Sequence, residues 1–424
     1  MKVGHGSAAL AVGDGTPMGG YADRRGGSSG VLDELRVDCV CMRGAAGRFV
    51  LVVAEVVCVN DDLAREVRRR VRDALAASSE PVVDVWVCAT HTHSGPDVGC
   101  VAGGGPTPPA WRRAIGDAAV EAVLAAVASE RDRAGRLQTG VLRDIGSPRG
   151  RHAGEHRVSV DVVSCVDADG AVQGVLAVVP VHPTVLPASS TAISGDLAAA
   201  IRTSLQRRLS APWVVVATGA AGDISTRHTR RAQTSDECQR LGFEAAEQIA
   251  ALMRTPPAAL WEGGSGALAA ARDSVAMPAR RQERGDLQAL RERLEEEHAR
   301  ELQAGTTATA RIVETALQGV DVAEAGEGVS SIALSLSAAR LGRLALFGIG
   351  AEPFHSFSAQ LRDRCAGPSI VLGYTNGHVG YLPDAAAYGA DAAGYEVLSS
   401  LLPADAAATT VASLIELLPN PMED

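Results

Sequence analysis

The apolar positions of this chain fall into two patterns. In the first, short runs are apolar almost without interruption, over 49–59, 81–89, 174–181, 212–218, 343–349 and 369–372. Continuous Val, Leu and Ala bounded by turn residues predict strands buried on both faces, because half-exposed strands alternate instead. In the second, apolar residues recur every three or four positions. Leu63, Val67, Val71 and Leu75 form one stripe over 61–77 with arginines opposite, which predicts an amphipathic helix. Similar spacing predicts helices over 110–130, 197–209, 238–253, 356–365 and 406–418. Strand followed by helix, repeated, predicts an α/β architecture with a largely buried sheet.

One segment departs from this rhythm. Residues 278–323 are highly charged, with Leu287, Leu290 and Leu294 on one stripe within 282–301. They read as a helical insertion, either packing on its own domain or forming half of a hairpin that caps the site or joins two copies in a homodimer. Glycines at 263–266 and 326–328 mark its hinges. No internal repeat and no second-domain boundary is visible, so 1–424 reads as one catalytic unit carrying this insertion.

Composition narrows the function classes. Of 424 residues, 46% are hydrophobic but only 3% aromatic, so Val, Ala and Leu must fill the core. A net charge of −10 without a basic block argues against a nucleic-acid partner. No stretch reaches the ~20 apolar residues that span a bilayer, and the first residues lack the apolar core of a secretory signal. Stable membrane association is not expected, and a cytoplasmic location is. Eight cysteines without a CxxC or regular spacing read as reduced thiols, several of them small hydrophobes inside strands.

The chemistry collects where apolar runs end. The run ending at Ala89 delivers Thr90-His91-Thr92-His93-Ser94-Gly95-Pro96. On extended backbone, histidines at i and i+2 project to one side and can share a metal ion. Other runs deliver His182-Pro183-Thr184, then Gly222-Asp223-Ile224-Ser225, then Glu352-Pro353-Phe354, and finally 373–383 with Asn376, His378 and Tyr381. In buried α/β sheets, functional groups gather beyond the carboxyl ends of strands. Each residue also has a structural reading: His182 bonded to backbone, Glu352 capping a helix, Asp223 closing a turn, Tyr381 in the core. His152 and His156, four apart, lie in a polar loop, and His5, His228, His298 and His355 have no supporting context.

These motifs, in this order from about Gly4 to Glu396, resemble the signatures of the neutral/alkaline (non-lysosomal) ceramidases. Thr90–Pro96 is similar to that family's THTHSGP block, and His182-Pro183-Thr184 with Ser194-Gly195-Asp196 to its second histidine block. Ala221–Ser225, Glu352-Pro353-Phe354 and Gly373–Pro383 with Tyr395-Glu396 match the remaining ones. The resemblance implies a fold of mixed sheets flanked by helices and a Zn²⁺ held by His91, His182, Glu352 and Tyr381. His93 would transfer protons, with Tyr381 or His93 hydrogen-bonding the oxyanion. The implied activity is hydrolysis of an N-acyl amide by a zinc-activated water. Arg149 or Arg151 would supply the family's arginine, and Asp223, Asn376 and His378 would be substrate contacts. Unlike secreted members, the chain has no visible signal peptide and runs only about 28 residues past Glu396. The Gly/Pro-rich segment 97–109 has no apolar wedge for entering a bilayer, so the expected substrate is a soluble small-molecule N-acyl compound, not ceramide. Esterase, lactonase or reverse amide-forming chemistry at the same site remains open. So do a barrel-type metal hydrolase and a non-catalytic scaffold.

Overall fold

The computed structural model describes residues 1–78, 80–150, 154–263, 266–390 and 392–420. Three sheets organise it. In the first, strand Lys2–Leu10 and strands Leu35–Gly44, Gly47–Ala54 and Val82–Ala89 run from edge to edge, with a short fifth strand on the outside. The second is built on Ala134–Arg143, Arg157–Val166, Val172–Val179 and Val214–Thr218, and the third on Leu268–Pro278, Ser331–Leu341, Leu344–Ile349 and Ser369–Leu372.

Each sheet is mostly antiparallel but ends in one parallel pair. Gly47–Ala54 runs beside Val82–Ala89, Val172–Val179 beside Val214–Thr218, and Leu344–Ile349 beside Ser369–Leu372. A parallel pair needs a crossover, and each has one helix: Asp61–Ala74, Asp196–Leu209 and Ser356–Arg364. The fold therefore contains three β-α-β units that share no visible sequence repeat. Helices cover the outer face of every sheet, while the inner faces meet in a common core with Phe49 and Trp86 from the first sheet, Leu176 and Val215 from the second, and Leu346 and Ile370 from the third. This is why the predicted strands read as continuous apolar runs: Gly47–Ala54 is buried along its whole length.

The predicted helices are present, within a few residues at their ends. The antiparallel strands Lys2–Leu10, Leu35–Gly44 and Arg157–Val166 are additions to the sequence reading. Glycine disguised the first. Helix Pro109–Ala128 lies directly on Gly4 and Gly6, where a Cβ would sit 2.0 Å from the Ala126 carbonyl oxygen and 2.1 Å from that of Ala122. The charged insertion is a complete helical hairpin, Arg284–Gln303 and Thr307–Ala325. Leu287 and Leu294 meet Val313, Ala316 and Val320 between the two helices, and Leu398 closes that small core. Its second helix also reaches the amino-terminal loop, where Arg311 pairs with Asp23 at 2.9 Å and Gln318 donates to Asp23 at 2.7 Å. No helix among the described residues is long and apolar enough to cross a membrane.

Candidate metal centre

The carboxyl ends of the three parallel pairs are tied to one another. Thr218 Oγ1 donates to the Thr90 carbonyl at 2.7 Å, Gly373 N–H to Thr218 at 3.1 Å, and Ala89 N–H to Tyr374 at 3.1 Å. These bonds close a ring through all three sheets. The loops leaving it carry the residues singled out by sequence.

His91 and His93 enter from the first unit, but not by the predicted geometry. The strand stops at Ala89, and His91 takes a left-handed conformation with φ +66°. Such a conformation is strained for a non-glycine residue and persists only where its surroundings fix it. Here the His91 N–H donates to Val56 at 2.9 Å and the ring packs on Tyr374, centroids 4.2 Å apart. The two imidazoles still meet, Nε2 to Nε2, at 3.1 Å. Extended i, i+2 spacing was the wrong reason for a correct proximity.

His182 comes from the second unit and Glu352 from the third. His182 Nε2 lies 3.2 Å and His91 Nε2 3.3 Å from Glu352 Oε2. One ligand atom each of His91, His93 and His182 falls within 4.8 Å of the others, and the three form a group that could hold a metal ion. Short parallel pairing sets Glu352 opposite Tyr381. The Tyr381 hydroxyl accepts from Arg149 Nη1 at 3.1 Å, and that nitrogen also lies 3.2 Å from His182 Nε2.

The protonation pattern suits a cation. His91 Nδ1 is 2.6 Å from the Val57 carbonyl and His182 Nδ1 is 2.7 Å from that of Ala221. A carbonyl only accepts, so both Nδ1 atoms carry a proton, and Nε2 is the atom each neutral ring offers to an ion. Burial and the Arg149 charge lower the His182 imidazole to about 4, keeping it neutral. Burial, then His91 and His182, hold His93 well below its ordinary value. Electron-rich atoms from three sheets thus face one another at about 3 Å, an arrangement a positive ion between them would stabilise.

The other sequence candidates divide. Arg149 is brought in, because Ser147–Pro148 pairs with Ile224–Ser225 and the Arg149 N–H donates to Asp223 at 2.9 Å. Its Nε pairs with Glu396 at 2.9 Å. Arg151 and His152 lie outside the described residues. Asp223 braces the site: its carboxylate accepts the His355 N–H at 2.6 Å and ties two site loops together. Asn376 is likewise a brace, buried with Oδ1 on the Val87 N–H at 2.9 Å and Nδ2 on Ser337 at 2.9 Å. His378 lies at the site, its Nε2 3.8 Å from Glu352 Oε1.

Sequence reasoning missed the partners from the amino-terminal loop. Tyr21 stands edge-on to His93 at 4.9 Å, and Arg24 Nη1 donates to the His93 carbonyl. Gly20 has φ +96° and approaches so closely that a Cβ would be 2.5 Å from His93 Cγ. The Gly19-Gly20 pair was the available signal.

No family model and no curated protein sequence matches the chain. Solved structures do. A ceramidase complexed with C2 superposes over 100% of this chain and 76% of its own, at 17% identity and a TM-score of 0.71. Neutral ceramidase from Pseudomonas aeruginosa superposes over 98% of this chain and 73% of its own, at 18% identity and a TM-score of 0.71. The chain has a ceramidase-like α/β fold over its whole length.

Proposed function

We propose that this protein is a zinc-dependent amidohydrolase that cleaves the N-acyl bond of a soluble small molecule. The observation that carries this reading is the convergence of the His91 and His182 Nε2 atoms on Glu352 Oε2, 3.3 and 3.2 Å away, inside a ceramidase-like fold. His91, His182 and Glu352 would hold the ion, with Tyr381 as the fourth ligand. When bound, Zn²⁺ lowers the pKa of coordinated water toward about 7 and polarises a carbonyl.

The chain's own residues account for the other demands. His93, neutral and beside His91, is placed to take a proton and return it to the leaving amine, which an amide requires and an ester does not. Arg149 fixes the Tyr381 hydroxyl, which can donate to the developing oxyanion. Substrate approach is restricted: His91 and His182 are at most 2% exposed, whereas His93 is 8% and Tyr381 7%. The reacting bond therefore enters on the His93–Tyr381 side. Tyr21, Arg24 and Arg149, the polar neighbours of that side, favour a polar metabolite over a lipid.

The test uses matched N-acyl amides and esters with the metal-stripped and zinc-restored protein. Zinc-dependent amide cleavage is expected. Zinc-independent activity, or turnover of esters alone, overturns the reading.

A further inference from the structure

Glu352 has a second oxygen, and it faces a different set of ligands. Its Oε1 lies 3.8 Å from His378 Nε2, which is 3.2 Å from Cys100 Sγ. Cys58, Cys100 and His378 each offer a ligand atom within 4.8 Å of the others. Cys58 follows the first strand of the first unit, Cys100 lies beyond the paired histidines, and His378 belongs to the loop after Ser369–Leu372. Three distant segments thus deliver two thiols and an imidazole to one point.

That point is built, not incidental. Asn60 Nδ2 donates to the Val98 carbonyl at 2.9 Å, to that of Gly99 at 3.1 Å and to Thr107 Oγ1 at 3.2 Å, fixing the loop next to Cys100. Gly99, at φ +82°, makes the turn there, where a Cβ would lie 2.3 Å from the Pro106 carbonyl. The His378 loop is pinned by the Val379 N–H on Gly350 at 3.0 Å and by the Gly103 N–H on Val379 at 3.0 Å. His378 is buried, and its Nδ1 has no hydrogen-bond partner. Cys39, Cys41, Cys88 and Cys165 sit among apolar side chains, where a thiol is simply a small hydrophobe; Cys58 shares that cluster and Cys100 packs on it, but these two also have an imidazole within ligand reach. Cys100 faces an imidazole instead and is partly open, leaving a route for an ion.

We propose that Cys58, Cys100 and His378 form a second metal site, thiolate-rich and suited to Zn²⁺ or a similar borderline-soft divalent ion, with the Glu352 carboxylate shared between it and the His91–His182 site. Tetrahedral zinc places neighbouring sulfur and nitrogen ligands about 3.5–3.8 Å apart, close to the spacing already present. Binding deprotonates both thiols and releases two protons to solvent. The resulting thiolates would neutralise the ion, and Glu352, with Oε2 toward His182 and Oε1 toward His378, would be shared between the two sites. That sharing rests on the function proposed above; the thiolate site itself does not.

The experiment titrates the reduced, metal-free full-length chain with Co²⁺ and follows absorption. Two equivalents are expected, one with a thiolate-to-Co²⁺ charge-transfer band in the near ultraviolet. The C58S/C100S protein should lose that band and one equivalent, and H91A/H182A should lose the other equivalent and keep the band. If C58S/C100S fails to fold, C100S alone should weaken the band by about half. A wild-type titration without the band overturns the proposal, as does unchanged stoichiometry in C58S/C100S or a Cys58–Cys100 disulfide in protein kept under reductant. A band that survives while the histidine pair binds nothing would sink the proposed function and leave this site standing.

Discussion

His182 Nε2 and Glu352 Oε2, 170 residues apart in sequence, lie 3.2 Å from each other with the imidazole proton committed elsewhere, to the Ala221 carbonyl. A lone pair facing a carboxylate at that distance is repulsive unless positive charge joins them; the Arg149 guanidinium meets the same Nε2 at 3.2 Å, and a metal ion would bind both groups directly. Glu352→Gln keeps the shape and removes the charge. Zinc affinity, measured by competition with a chelator and elemental analysis, should fall by more than the roughly 10–100-fold typical of losing an outer partner. His91→Ala should likewise abolish zinc retention at this centre, leaving only the equivalent assigned to Cys58, Cys100 and His378. Full zinc content in both variants would dismantle the metal centre.

Arg149 connects the site to the loop behind it. Its guanidinium touches Tyr381 and Glu396, and both acceptors are largely buried. Arg149→Ala leaves Glu396 without its ion-pair partner. Breaking a buried pair from one side destabilises by about 3–5 kcal/mol. Urea unfolding should show that loss, and Arg149→Ala/Glu396→Gln should recover part of it while activity stays low, because Tyr381 is still unanchored.

Asp223 yields a pH prediction. Burial raises its carboxyl to about 6, against donation from the His355 N–H and its own backbone. An acid whose folded-state pKa lies above the unfolded value of 3.8 holds a proton in the folded state that the unfolded chain has lost. Its contribution is therefore fully present below pH 3.8 and declines as pH rises to about 6. Asp223→Asn keeps an acceptor for His355 and removes the titration. Denaturation across this range should show a flatter profile for the variant, with a gain of about 2–3 kcal/mol at most above pH 6. Parallel profiles would contradict the assignment.

The amino-terminal strand depends on having no side chain at two positions. Gly6→Ala pushes a methyl into the backbone of helix Pro109–Ala128, which cannot rotate away as a side chain would. We expect destabilisation of about 3 kcal/mol or more, or failure to fold. Gly13→Ala, with nothing within 4 Å and an ordinary φ, should stay within about ±0.5 kcal/mol. Thermal melts of the pair provide the comparison.

What the sequence revealed, and what it hid, follows from how each residue acts. Val50, Val87 and Val216 announce buried strands because both faces of their sheets are covered, one by helices and one by the shared core. Lys2–Leu10 stays silent because its glycines serve a helix and not a side-chain pattern. His91, His182 and Glu352 stood out because each follows an apolar run that stops at a Gly- or Pro-containing loop. Asn376 and Asp223 carried the same signal, yet their polar atoms satisfy main-chain groups. Position at a strand end marks a place near the site, and only the partners tell a ligand from a brace. Tyr21 and Arg24 left only the Gly19-Gly20 pair as a signal, and the Cys58–Cys100 pair left none, since their meaning lies in contacts between loops far apart in the chain.

His93 provides the sharpest separation of metal binding from catalysis. Its ring is set by Tyr21 at 4.9 Å and by the close approach of Gly20, and its Nε2 touches His91. The proposed ligands are His91, His182, Glu352 and Tyr381, so His93→Gln should leave zinc content near the wild-type value, whereas loss of the ion would make His93 a ligand in the three-histidine group. Amide hydrolysis should nevertheless drop by about 10²–10⁴-fold, the range for losing a positioned proton-transfer group. The matched ester, whose leaving group departs without a proton, should lose much less. Gly20→Ala should show the same amide-selective defect more mildly, by displacing the imidazole without removing it. Equal losses on amide and ester in both variants, with zinc intact, would assign His93 to substrate binding and take the proton transfer away from it.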